Sequence, residues 1–125
     1  MSRSDLVRLF VLNAIADDYE NVDQTILSDV AKLGGRCGLA IERSEIVEAL
    51  AWLIENGLAR AYLLSCFEPH STELEGMPKI DPVEQDFKTY FYITKKGLEH
   101  HSTDTRWPFD DQDNLRPDWV LDGTP

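Results

Sequence analysis

The sequence predicts a small α+β domain: three helices, then a β structure of two or three strands, then an irregular C-terminal tail. Apolar residues recur at helical spacing in three stretches before residue 57. Two runs of β-forming residues follow, separated by a long segment that contains three prolines. Helix formers are scarce near the C-terminus, so we expect one domain over residues 1–101 and a tail over residues 102–125.

Composition narrows the class of protein. A chain of 125 residues with 42% apolar residues fits one domain with a real core. Its net charge of -11 repels nucleic acid and anionic membranes at long range. No signal peptide or membrane span is predicted, because no apolar run approaches the ~20 residues that a span needs. We expect Cys37 and Cys66 to be reduced thiols in a cytoplasmic protein, with Arg36 lowering the pKa of Cys37.

Capping residues delimit the helices. The predicted helices cover about residues 4–16, 24–33 and 42–56. Asp23 is a suitable N-cap for the second helix, and Gly34 with Gly35 is expected to end it. Gly57, after Asn56, is expected to end the third helix in the left-handed conformation.

Two strands are predicted, over residues 58–65 and 87–94, on either side of a loop or extended wing over residues 66–86. In the first strand, Arg60, Tyr62 and Leu64 share one side. Thr94 is expected to cap one last helical turn, which Gly97 weakens. The predicted core joins the third helix to the second strand through Ile46, Leu50, Leu53, Phe91 and Ile93.

Two motifs carry a resemblance to a known family. Residues 42–62, ERSEIVEALAWLIENGLARAY, look like the third helix of a winged helix running into its first wing strand. Residues 92–98, YITKKGL, are similar to the end of the second wing strand. Over about residues 5–101 the chain therefore resembles a winged-helix (winged helix-turn-helix) domain, loosely similar to MarR- and PadR-type regulators and to no specific subfamily. The resemblance implies a third helix that enters the DNA major groove and a wing that touches the backbone.

The charges argue against that use. Among residues 42–48, three glutamates and one arginine are expected to face outward at the start of the third helix. The wing carries six acidic residues and one lysine. Phosphate binding relies on basic side chains that release counterions. The candidate nucleic-acid contacts are Arg36, Arg43, Ser44, Lys88, Lys95 and Lys96.

A second set of residues suggests protein contact. Glu45, Glu48, Trp52 and Glu55 share one face of the third helix, opposite its apolar stripe. We expect Trp52 either to touch a partner or to be covered by the tail. The tail carries Trp107, Phe109 and Trp119, which predict docking on the domain or on a second copy rather than disorder.

The sequence-based hypothesis is a non-enzymatic winged-helix module for protein-protein interaction or regulation. The alternative is a DNA-binding transcriptional regulator, in which a homodimer gathers the few basic residues; an enzyme or a small-ligand sensor is less favoured. No catalytic, cofactor-binding or metal residues are predicted, and the histidines, including His100 and His101, are expected to be exposed.

Overall fold

The computed structural model describes residues 1–122 and confirms an α+β domain, with four α-helices and one antiparallel sheet. In chain order the elements are α1 (Arg3–Ala14), β1 (Glu20–Asn21), a π-helical turn (Val22–Ile26), α2 (Leu27–Arg36), α3 (Arg43–Glu55), β2 (Ala59–Leu64), β3 (Ser71–Glu73), β4 (Thr89–Ile93) and α4 (Lys95–Thr103). None of the helices within residues 1–122 has the length and apolar character needed to cross a membrane.

The sheet has four strands, in the order β1-β4-β2-β3, where two or three were expected. β2 and β4 form its centre, with Ala61 opposite Phe91. The additional strands β1 and β3 have two and three residues, so neither is long enough to show an alternating pattern. The inward side of β2 and β4 is buried against the helices, and the other side bears Arg60, Tyr62 and two further tyrosines.

Helix α1 is buried on more than one stripe. Half of its residues are buried: Leu6, Val7, Leu9, Phe10, Val11 and Leu12. α3 and α2 pack against it, and the tail covers Phe10. The five predicted core residues all lie in the same buried cluster as α1, which confirms the predicted placement of α3 against the sheet.

Helix α2 corrects the predicted end of the second helix. It runs through Gly34 and Gly35 and ends at Arg36. Gly34 lies close to Ile41, since a Cβ there would be 2.6 Å from Ile41 Cδ1, and the isoleucine side chain would have to shift to admit it. The stop is Gly38, whose φ of 77° allows the amides of Gly38 and Leu39 to bond the carbonyls of Gly35 and Gly34. The third helix does end at the predicted glycine, because Gly57 has a φ of 72°.

Helix α4 is longer than the single turn predicted. It has nine residues and ends at Thr103, two residues into the predicted tail. Thr94 caps it as expected, because its hydroxyl accepts from the Gly97 amide at 3.0 Å. Gly97 lets the helix lie directly on the chain after α3: a Cβ there would be 2.0 Å from the Leu58 carbonyl oxygen. Its packing role outweighs its low helix propensity.

The tail docks on its own domain. Trp107 packs edge-on against Phe10, with ring centroids 5.5 Å apart. Farther along, the N-terminal amine of Met1 lies 3.0 Å from the Asp122 carboxylate. The described part of the tail is irregular, apart from a bridge between Phe109 and Leu115. The described tail, which was expected to dock, thus contacts the domain of the same chain at α1 through Arg106 and Trp107 and at α2 through Phe109 and Asp113.

Candidate protein-contact surfaces

The predicted contact face of α3 is partly used inside the domain. Glu45 forms a two-pronged ion pair with Arg3, at 2.7 Å and 3.2 Å, and accepts from the Glu42 amide at 2.8 Å. The hydrogen bond from Arg3 holds the pKa of Glu45 below its ordinary value. Glu45 therefore ties the start of α3 to the start of α1, while Glu48 and Glu55 remain exposed.

Trp52 is half-buried, and Arg8 of α1 lies over its ring. The Arg8 guanidinium lies 4.2 Å from the centroid of the Trp52 ring, and Arg8 also pairs with Asp5 at 3.3 Å. The cleft beside Trp52 has a volume of about 20 Å³. That volume accommodates about one water molecule. Arg8 thus lies over the indole, and Asp104 and Arg106 of the predicted tail line the same cleft, in line with the expected cover by the tail.

Arg43, the candidate base contact at the start of α3, is engaged on two sides. Its Nε and Nη2 lie 2.9 Å and 3.0 Å from the Asp23 carboxylate oxygens. It also donates to the carbonyl oxygens of Asp81 and Glu84, at 2.7 Å and 3.2 Å. The Asp23 side chain is only 3% exposed, and the Arg43 hydrogen bond lowers its pKa. The wing is thereby held against the start of α3, where Ser44 lies exposed beside it.

The other candidate nucleic-acid contacts lie on separate elements. Arg36, at the end of α2, stacks 3.9 Å from the centroid of Phe109 and pairs with Asp113 of the tail. Lys96 donates to the Asn56 carbonyl at 3.1 Å. Lys88 and Lys95 are exposed, and within residues 1–122 neither has an ion-pair partner.

The outward side of the sheet carries an aromatic surface that the sequence predicted only in part. All four tyrosines of the chain lie there, Tyr19, Tyr62, Tyr90 and Tyr92, and we call this surface the tyrosine face. Tyr19 packs edge-on against both Tyr62 and Tyr92, with centroids 5.0 Å and 4.8 Å apart. Strand alternation placed Tyr62 on this side, but Tyr19 precedes β1 in a connection whose position no local pattern predicts.

At the distal end of β2 and β4, the tyrosine face continues into an open apolar groove. We call it the hairpin groove; it is lined by Leu63, Leu64, Ser65, Cys66, Phe87, Lys88 and Tyr90. Leu63 is 44% exposed and Phe87 48%, and Phe67 nearby in the chain is 80% exposed. Large apolar side chains grouped on a surface are typical of sites where proteins bind other proteins. This group was missed because its members belong to two strands and a loop.

The cysteines and histidines require two corrections. Burial raises the pKa of the Cys37 thiol and outweighs the lowering by Arg36, contrary to the expectation from sequence. His101 is half-buried rather than exposed, with Nε2 3.0 Å from Asn13 Oδ1. Both cysteines are free thiols. Within residues 1–122, no three side chains of His, Cys, Asp or Glu are grouped closely enough to hold a metal ion.

Comparison with known proteins gives no relative to guide the assignment. No protein-family model matches the chain, no curated protein matches it, and no solved structure matches it.

Proposed function

We propose that this chain is a winged-helix domain that acts in regulation by binding another protein and has no catalytic role of its own. The order of elements supports the winged helix. β1, between α1 and the second helical segment, pairs with β4, and β4 pairs with β2, which directly follows α3. On this proposal α3 corresponds to the recognition helix, and the chain between β2 and β4 corresponds to the wing.

The hydrogen bonds that Arg43 makes within the domain are the observation that favours a protein partner over DNA. A recognition helix needs free donors at its start for base edges and phosphates. Here Arg43, the basic residue at the start of α3, donates instead to Asp23 and to two wing carbonyls. The wing lies against the same end of the helix, and Ile80 and Pro82 sit beside Ser44. Entry into a groove would require both the ion pair and the wing contacts to break.

The hairpin groove is the feature that favours binding of another protein. It presents the exposed side chains of Leu63 and Leu64 from β2 and of Phe87 from the chain before β4, while the wing beside it is acidic. An apolar centre with a charged surround is the usual composition of a protein interface. The enzyme and ligand-sensor alternatives are less favoured, because the cleft beside Trp52 is small, at about 20 Å³, and the larger hairpin groove is an open surface lined mainly by apolar side chains.

The DNA-binding alternative rests on Lys88 and Lys95, which are exposed and lack ion-pair partners within residues 1–122. A selection from randomised DNA duplexes at low salt separates the two functions. We expect no enriched motif, and nonspecific binding weaker than the ~10⁻⁴–10⁻⁶ M typical of DNA-binding proteins at physiological salt. An enriched motif whose binding is abolished by Lys95→Glu with Lys96→Glu would establish the regulator instead.

A photo-crosslinking amino acid provides the complementary test in cells. Placed at Leu64 in the hairpin groove, it should form a defined crosslinked product with another polypeptide. The matched control is the same group at Lys32, an exposed residue of α2 away from the groove. A partner that crosslinks at both positions equally, or at neither, would contradict protein contact through the groove.

A further inference from the structure

We propose that the tyrosine face and the hairpin groove together bind an extended, arginine-containing segment of a partner protein, an inference that rests on the proposed function of protein contact. The face is a continuous half-buried aromatic surface. Tyr62 stands opposite Tyr90 across the β2–β4 pair, and Tyr19 joins Tyr62 to Tyr92. Tyr90 also lines the groove, so the two surfaces are continuous.

The charges around the tyrosine face favour a cationic partner. The carboxylates that adjoin it in the chain or across a strand are Asp17, Asp18, Glu20 and Glu73. The basic residues near it are Arg60 and Lys88, and Arg60 is already paired with Glu73 at 2.9 Å. After burial, the charge of Glu73 is the next largest cause of the raised pKa of Tyr62. The rings are thus set in a region of negative charge.

Arginine fits this combination better than lysine. A planar guanidinium stacks on an aromatic ring while its edge pairs with a carboxylate. The fold makes the same arrangement twice: Arg8 covers Trp52 and pairs with Asp5, and Arg36 covers Phe109 and pairs with Asp113. The tyrosine face offers rings and carboxylates of the same kinds on an open surface. The leucines and Phe87 of the groove would receive apolar residues of the same segment.

A second copy of this chain is a poor occupant. Each copy carries a net charge of -11, and the carboxylates near the tyrosine face would meet their equivalents across a symmetric contact. Like charges brought together in an interface oppose association. The negative charge near the tyrosine face therefore favours a basic polypeptide other than this chain as the partner.

The test uses the full chain and a short peptide of alternating arginine and alanine as the probe. With the tyrosine and tryptophan rings labelled for NMR, we expect a saturable shift of tyrosine signals and unchanged tryptophan signals. The distinction is clean because all four tyrosines lie on the face, whereas Trp52, Trp107 and Trp119 lie elsewhere. A peptide of alternating lysine and alanine should bind more weakly than the arginine peptide, and a peptide of alternating glutamate and alanine should not bind.

Substitutions at Tyr62 separate ring chemistry from folding. Tyr62→Leu should lower the affinity for the arginine peptide roughly fivefold, which is the scale of one cation–π contact. Tyr62→Phe keeps the ring and should retain binding. Trp119→Leu, an aromatic loss in the tail away from the face, should leave the affinity unchanged. Equal weakening by Tyr62→Leu and Tyr62→Phe would overturn the stacking role.

Three results would overturn the proposal. They are the absence of tyrosine shifts, equal binding of the arginine and lysine peptides, and larger shifts with single-stranded oligouridylate RNA than with the peptide. The RNA result would make the face a base-stacking platform. None of these results depends on the duplex selection, so a failure of the docking proposal is distinguishable from a failure of protein contact as the general function.

Discussion

Arg43 and Asp23 form a bidentate ion pair across two helical segments, with Nε–Oδ1 and Nη2–Oδ2 distances of 2.9 Å and 3.0 Å. The same carboxylate accepts from the Asp86 amide at 2.7 Å. One nearly buried carboxylate therefore joins the π-helical turn, the start of α3 and the end of the wing. The junction acts together with apolar packing, since Leu74, Met77 and Ile80 of the same loop pack against the core.

Removing the Arg43 side chain should free the wing. Arg43→Ala leaves the buried Asp23 carboxylate without its cation, and we expect a loss of about 1.5–3 kcal/mol, the range for hydrogen bonds to charged groups. Urea unfolding measures the loss, and hydrogen exchange at the Asp86 amide reports the local effect. Arg43→Lys keeps the charge without the planar fork and should recover only part of the stability. Unchanged exchange at Asp86 in Arg43→Ala would contradict the junction.

Acid should destabilise the domain in a definite range of pH. Arginine hydrogen bonds lower the pKa of Asp23, Glu45 and Asp104 from ordinary values of 3.8, 4.5 and 3.8. A carboxylate with a lowered folded pKa stabilises fully above its unfolded pKa, and that stability is lost as the pH falls toward the folded pKa. The urea midpoint should therefore be level above about pH 5 and fall below about pH 4.5.

The variant Asp23→Asn isolates one part of this acid effect. It removes a titrating group, so its urea midpoint should be lower than that of the unmodified chain near neutral pH. The difference between the two chains should narrow as the pH falls below 3.8, the ordinary pKa of an aspartate. A constant difference from neutral pH down to strong acid would show that the Asp23 charge contributes nothing.

Two helical glycines should respond to alanine in opposite directions. At Gly97, a Cβ would lie 2.0 Å from the Leu58 carbonyl oxygen, so Gly97→Ala should cost roughly 1–3 kcal/mol despite the better helix propensity of alanine. At Gly35, nothing lies within 4 Å of the added Cβ, so Gly35→Ala should stabilise by roughly 0.5–1 kcal/mol. Thermal unfolding compares the two. Stabilisation by both substitutions would mean that α4 is not packed on Leu58.

The docked tail should contribute to the stability of the whole domain. Trp107 packs on Phe10 and Phe109, so Trp107→Ala should cost about 3 kcal/mol, the lower end for loss of a packed aromatic ring. Phe67→Ala is the matched control, since this ring is 80% exposed and its loss should change stability by less than about 0.5 kcal/mol. Circular dichroism melts would compare the melting temperatures of the two variants. Equal melting temperatures would refute structural docking of the tail.

The sequence by itself determined the features that depend on neighbours along the chain. The helical spacing of Ile46, Leu50 and Leu53 placed the third helix and its buried side, and Gly57 marked its end. The run of β-forming residues before Thr94 placed Phe91 and Ile93 on a strand and in the core. These features follow from helix and strand periods and from caps, which act over a few residues. The negative charge of the wing was also readable directly.

Only the tertiary structure decided which distant groups meet. Arg43 reads from sequence as a free basic residue, but its partners lie 20 and 38 residues away, at Asp23 and Asp81. The same holds for Tyr19, whose ring joins strands that follow much later in the chain. Gly97 reads as a weak point in a helix until the Leu58 carbonyl is found beside it. Local propensity carries no information about such contacts, because each is created by the packing of elements that are separate in sequence.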